Sequence, residues 1–147
     1  MNETQIPTKT KDFTLAFEVR YARVLVSPAK RIIICELLAD YIPMDDFKVI
    51  FNQIGDIVKA GYYEKFIFDK RSLRAFHQPT MEWYFIHWKK DMLEYGVTKH
   101  RKILPLEKWF EKMVQIAKLQ IFQNYPDNII DKLDIQYCDS IEEAIAK

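Results

Sequence analysis

The sequence predicts a single α/β domain: a mixed, mainly parallel sheet with an N-terminal antiparallel hairpin, flanked by helices. Three observations predict it. Phe66, Ile67 and Phe68 form a short apolar run bounded by charges, the pattern of a central strand covered on both faces and paired with parallel neighbours. Before and after that run lie segments with apolar residues at three- and four-residue steps, which read as helices laid on the sheet. The chain of 147 residues is 49% hydrophobic and 14% aromatic, enough for one core and too apolar for a disordered chain.

Taken in order, residues 1–11 are polar and read as a loose tail, and residues 12–147 as the domain. FTLAFEVRYARVLV and RIIICELLADYI read as two strands joined by the four-residue turn Ser27-Pro28-Ala29-Lys30. Pro43 stops the second strand, and Asp45 and Asp46 place negative charge where a helix begins. Phe47, Ile50, Phe51, Ile54, Ile57 and Val58 then mark one helical face, closed by Gly61 as a left-handed terminator.

A strand over about Glu64 to Asp69 follows. Pro79 suits the first position of the next helix, which runs to Tyr95 and ends at Gly96. Met81, Tyr84, Phe85, Trp88, Met92 and Tyr95 fall on one side of that helix, with Trp83, Ile86 and Leu93 nearly opposite. The second apolar face needs a cover: another helix, a second subunit or a ligand. Lys99 to Leu104 is a further strand, basic at its start. Leu106, Phe110, Met113, Ala117 and Ile121, with Trp109 and Ile116 alongside, give a third helix that ends near Gln123-Asn124. Pro126 restarts a short helical segment reaching Leu133. A strand over Asp134 to Cys138 and a terminal helix close the chain; Asp139 with Glu142, or Ser140 with Glu143, have capping-box spacing.

Composition narrows the function classes. With 22 Lys and Arg against 21 Asp and Glu the formal charge is +1, which argues against a nucleic-acid binder working through phosphate neutralisation. The amino-terminal segment lacks the apolar stretch of a secretory signal, and no run suggests a membrane span; a cytoplasmic location is expected. Cys35 and Cys138, without CxxC spacing, read as buried free thiols. The three glycines, at 55, 61 and 96, are too scattered for a phosphate loop. His77, His87 and His100 have no Cys or carboxylate at ligand spacing, so neither a metal nor another cofactor is expected; His87 reads as a packing residue with a satisfied ring nitrogen.

The corner after the central strand is the candidate site. Asp69 reads first as a loop holder that accepts backbone N–H bonds or pairs with Arg71. The sharper reading makes Asp69, Arg71 and the start of the following helix a contact surface for a partner or an anion. Ser72 and Thr80 are hydroxyls there whose phosphorylation would add charge. Trp83, Ile86 and Leu93 are the candidate apolar interface or ligand face.

This order of elements resembles the SpoIIAA-like proteins, STAS-type and Sec14-type domains related to anti-sigma-factor antagonists. The resemblance rests on the FEVRYARVLV and RIIICELL strands, the IPMDDF helix start, the FIFDKRSL corner with Asp69-Lys70-Arg71, and the closing DIQYCDSIEEAIA, and covers residues 13–146. It implies function by binding without catalytic residues. In the antagonist branch a serine at the start of the helix after the central strand is phosphorylated; here Gln78-Pro79-Thr80 stands instead. The Sec14-like branch implies apolar, lipid-like ligands. The sequence is thus expected to encode a non-enzymatic regulatory or protein-interaction module, a homodimer or the partner of another protein. The alternative is a carrier or sensor of a lipid-like small molecule.

Overall fold

The computed structural model describes residues 12–125 and 130–147. The expected amino-terminal tail and the restart at Pro126 lie outside the described residues. Six strands form one sheet in sequence order: β1 (Thr14–Glu18), β2 (Ala22–Ser27), β3 (Ile32–Leu37), β4 (Lys65–Asp69), β5 (Lys99–Ile103) and β6 (Asp134–Tyr137). β1, β2 and β3 are antiparallel neighbours, and β3 through β6 are parallel. The mixed sheet agrees with expectation, and β4 lies inside it with all five residues buried.

The amino-terminal part holds one strand more than expected. FTLAFEVRYARVLV folds back on itself at residues 19–21, where Val19 N–H donates to the Ala22 carbonyl at 2.9 Å. Strands seldom exceed about ten residues, and this run turns without the glycine or asparagine that usually marks a hairpin. The β2–β3 turn stands near its expected place, with Arg31 at φ 61 as its left-handed residue.

Helix α1 (Met44–Ala60) follows Pro43 and buries Phe47, Ile50, Phe51, Ile54 and Val58. Gly61 is not its left-handed terminator. Its backbone is extended, φ −133 and ψ −153, and the glycine is required for space, because a Cβ there would lie 2.9 Å from Tyr63 Cε2. Gly96, at φ 98, does hold the left-handed conformation that ends the next helix.

That next helix has three parts: α2 (Gln78–Trp83), a π-helical turn (Tyr84–Trp88) and α3 (Lys89–Glu94). Met81, Tyr84, Phe85, Trp88 and Met92 are buried as expected, whereas Tyr95 is exposed and Lys89 is buried in its stead. Helix α4 (Lys108–Asn124) buries Phe110, Val114, Ala117 and Ile121. Val114 takes the place expected for Met113, and Leu106 precedes the helix fully exposed. Trp109, Met113, Ile116, Leu119 and Phe122 remain exposed, so this helix is apolar nearly all round and its spacing alone allows two registers. After a 3-10 turn (Ile130–Lys132) and β6, α5 (Ile141–Ala146) begins at Ser140, whose Oγ accepts from Glu143 N–H at 3.1 Å. Of the two capping pairs, Ser140 with Glu143 is the one formed.

Connections between neighbouring parallel strands are right-handed as a rule, and α1, α2–α3 and α4 accordingly share one face. There they build the main core with Val24, Ile33, Cys35, Phe66 and Phe68. α5 alone packs on the other face, on Leu25, Ile34, Ile67 and Ile103. Lys65 Nζ reaches the end of α5, donating to the Ala144 and Ile145 carbonyls at 3.1 and 2.8 Å, as suits a cation at a helix carboxyl end.

Candidate ligand-binding site

β4 alternates. Ile67 and Asp69 point to the α5 face, while Phe66 and Phe68 point into the main core. Continuing that period sends Lys70 inward after Phe68. The residues of the expected site corner therefore part company.

Asp69 Oδ1 accepts from Arg71 N–H at 3.1 Å and from Arg71 Nε at 2.9 Å, and Oδ2 accepts from Arg71 Nη2 at 2.7 Å. This is the loop-holding role, built as a bidentate pair. Ser72 Oγ stands between the Leu37 and Ala39 carbonyls, 2.9 Å from each. Arg74 N–H donates to the Asp40 carbonyl at 2.8 Å, and its Nε pairs with Glu107 at 3.2 Å. The loop from Lys70 to His77 is thereby tied to the chain after β3 and to the start of α4. The cleft beside it holds Arg23, Glu36, Asp69 and Arg71, and its charges already pair with one another: Arg23 with Glu36 at 3.5 Å, Arg71 with Asp69.

Thr80 lies away from that group. Its Oγ1 is 2.7 Å from His77 Nδ1, which also accepts from Thr80 N–H at 3.4 Å and so caps α2. Trp83 is half-buried, edge-on to Phe47 of α1 with centroids 6.1 Å apart. Ile86 is half-buried against the main core, and Leu93 is half-buried as well. The cover over Trp83 is therefore a helix of the same chain. His87 is exposed, not packed; the buried histidine is His100 on β5.

Beneath the loop is a cavity of about 60 Å³ walled by Phe47, Phe68, Phe76, Met81 and Phe110. Exposed Ala75 and His77 also line it and place its mouth at the surface, while Lys70 and Tyr84 line it too. Lys70 is buried, its Nζ 5.3 Å from the Phe68 ring centroid, and no hydrogen bond holds its ammonium group among the described residues. Burial, with Lys118 adding repulsion, pulls its pKa down to about 7. The Tyr84 hydroxyl is buried without a hydrogen-bond partner, and burial drives its pKa well up.

Behind this wall stand two more lysines. Lys102 points inward from β5 and Lys89 from α3, both fully buried, with Nζ atoms 4.1 and 4.0 Å from the Phe85 ring centroid and no hydrogen-bond partner. Burial lowers both pKa values well below the ordinary lysine range; Lys89 lowers Lys102 further while Lys102 partly supports Lys89, and repulsion from Lys70 and Lys118 adds to both shifts. His100 is also held well below its usual value, first by burial and then by Lys89 and Lys102. The π-helical turn frames this group: Lys89 N–H reaches back five residues to the Tyr84 carbonyl, and such insertions recur at functional sites.

The sequence reading missed Lys70, Tyr84, Lys89 and Lys102 as site residues. Two signals pointed to them. Lys70 continues the Phe66, Phe68 alternation, and Lys89 falls four residues after Phe85, on the sheet-facing side. Lys102 gave none, since Lys99-His100-Arg101-Lys102 reads as a solvated strand start.

Among the described residues no group of three or more His, Cys, Asp or Glu is placed to hold a metal ion, and no helix is long and apolar enough to cross a membrane. Cys35 and Cys138 are buried free thiols. The chain matches no protein-family model, no curated protein and no solved structure.

Proposed function

We propose that this protein binds a small molecule with an apolar body, as a carrier or sensor, in the cavity beneath the Lys70–His77 loop. One observation carries the reading: an aromatic-walled space of about 60 Å³ reaches the surface at the carboxyl end of the central strand, where open α/β sheets receive ligands. The pinned corner serves it. Asp69, Arg71 and Ser72 hold the loop so that the cavity keeps its shape without a ligand. The resemblance to SpoIIAA-like domains enters this proposal in its Sec14-like, apolar-ligand form.

A plug at the mouth tests it. Ala75 is exposed on the lining, so Ala75→Trp can fill the opening with little disturbance to the core. Native mass spectrometry of the purified wild-type protein is expected to show a co-purifying small-molecule adduct, or uptake of added octanol. The Ala75→Trp protein is expected to lose it, with its thermal midpoint within a few degrees of wild type. A wild-type protein that carries no adduct and takes up no octanol would overturn the reading, as would binding that survives the plug.

A further inference from the structure

One lysine lines the cavity and three more lie behind its wall, and no carboxylate figures among the charges that act on them. Lys70 lines the space itself; Lys102 and Lys89 lie behind Tyr84 and Phe85, with Nζ atoms 5.6 and 4.9 Å from the Tyr84 ring centroid. Lys118 of α4 is close enough to repel all three. Buried charges are normally paired, and here the acceptor is missing while an apolar, surface-reaching space adjoins the group.

We infer that the ligand of this cavity is a carboxylate with an aromatic or short aliphatic body, its acid group received by Lys70 Nζ. The inference rests on the proposed ligand-binding role and adds the chemical class. Lys70 and Tyr84 both line the cavity, but the Tyr84 hydroxyl is sealed off, so the donor left to the space is the Lys70 ammonium, which has no hydrogen-bond acceptor among the described residues. A carboxylate brings the acceptor oxygen and the single negative charge that this ammonium lacks. A phosphate has a third oxygen and a second charge, for which the lining supplies no further buried donor. Lys102, Lys89 and Lys118 do not touch the space, and burial holds the pKa values of Lys102 and Lys89 well below the ordinary lysine range; none of them is an acid that would compete with the ligand for Lys70. About 60 Å³ holds roughly four probe-sized spheres, room for a ring or for the first carbons of a chain whose remainder leaves by the mouth at Ala75 and His77.

Proton uptake accompanies the binding. The groups around Lys70 and Tyr84 are Lys89 of α3, Lys102 of β5, Lys118 of α4, Cys35 of β3, Tyr137 of β6 and His77 at the cavity mouth, while Asp69, next to Lys70 in the chain, turns to the other face and is answered by Arg71. None of the former supplies negative charge near neutral pH. An arriving carboxylate restores the ammonium of Lys70, the proton coming from solvent, so affinity falls as pH rises past neutrality.

The test pairs acids with alcohols of the same body: octanoate against octanol, and benzoate against benzyl alcohol, titrated calorimetrically into the full-length protein at about pH 6 and about pH 8.5. Each acid is expected to bind at least about tenfold tighter than its alcohol at the lower pH. That preference should shrink at the higher pH. Lys70→Met is expected to lose about tenfold in octanoate affinity while keeping octanol. Lys70→Gln, which keeps a polar end at the same place, should lose octanoate affinity likewise and serves if the first variant does not fold. Equal binding of acid and alcohol, unchanged in both variants, would overturn the carboxylate assignment and leave the cavity reading standing. A preference for octyl phosphate over octanoate would also overturn it. Failure of every probe would remove both.

Discussion

Replacing Lys102 with methionine should stabilise the fold by about 1–4 kcal/mol near neutral pH, the range found where buried charged groups give way to apolar side chains of similar volume. Lys102 and Lys89 are both fully buried over one face-contributing ring, Phe85, with no acid beside them. A desolvated cation–π contact returns about 2 kcal/mol. Burying an ammonium group without an acceptor costs several kcal/mol, so desolvation wins and the lysines shed protons. In the unfolded chain a lysine keeps its proton to about pH 10.4. Between the lowered folded value and that limit, the unfolded state binds the extra proton, and stability climbs with pH by about 1.4 kcal/mol per unit for each such lysine.

Lys70, at about 7 in the fold, sets the start of its own window. The rise lessens from above: burial raises the Cys35 thiol, so beyond about pH 8.5 the unfolded thiol ionises while the folded one does not, which offsets one of the lysines and makes the slope shallower. Urea denaturation between about pH 7 and pH 8.5 is thus expected to show rising stability in the wild type and a shallower rise in Lys102→Met. A destabilised variant, or an unchanged slope, would mean that Lys102 is charged and paired in solution.

Legibility in the sequence followed the strength of local signals. β4 was legible because three consecutive apolar residues between charges fit a doubly covered strand and little else. Helix α1 was legible because its face is apolar on one side only. The β1–β2 hairpin was hidden because residues 19–21 turn without glycine, proline or asparagine. The buried face of α4 was legible at Phe110, Ala117 and Ile121 but not at Val114, because Met113 beside it is apolar too. At the end of β4 the conspicuous charges, Asp69 and Arg71, satisfy each other, whereas Lys70 between them turns inward to line the cavity. β5 is the extreme case. A run of His, Arg and Lys ordinarily marks solvent, yet each is buried between β4 and β6, Arg101 by donating to the Asp134 and Lys147 carbonyls at 2.8 Å each. Those acceptors are brought by residues more than thirty positions away, which no local pattern reports.

Phe51→Ala should be the most damaging single truncation considered, costing about 3–5 kcal/mol, as expected for a fully buried phenylalanine. Phe51 is inaccessible to solvent. It stacks on Phe47 at 4.2 Å and meets Trp88, Phe68 and Tyr84 at centroid distances of 4.9, 5.2 and 5.4 Å. Such ring pairs add about 0.5–1.5 kcal/mol each beyond burial alone, and here they join α1, β4 and the π turn at one point. The Phe51 carbonyl also accepts from Trp88 Nε1 at 2.7 Å, a bond the alanine variant can keep only if the turn does not move. Hydrogen exchange separates packing loss from loss of the turn. Faster exchange confined to the amides of residues 84–89 would show that Phe51 holds the widened helix against the sheet, and with it Tyr84 at the cavity wall. Uniform acceleration across α1, β4 and the turn would show only a weaker core. Since Tyr84 and Phe47 also line the cavity, the first outcome carries a further consequence: octanol uptake should fall in Phe51→Ala even under conditions where the variant is fully folded.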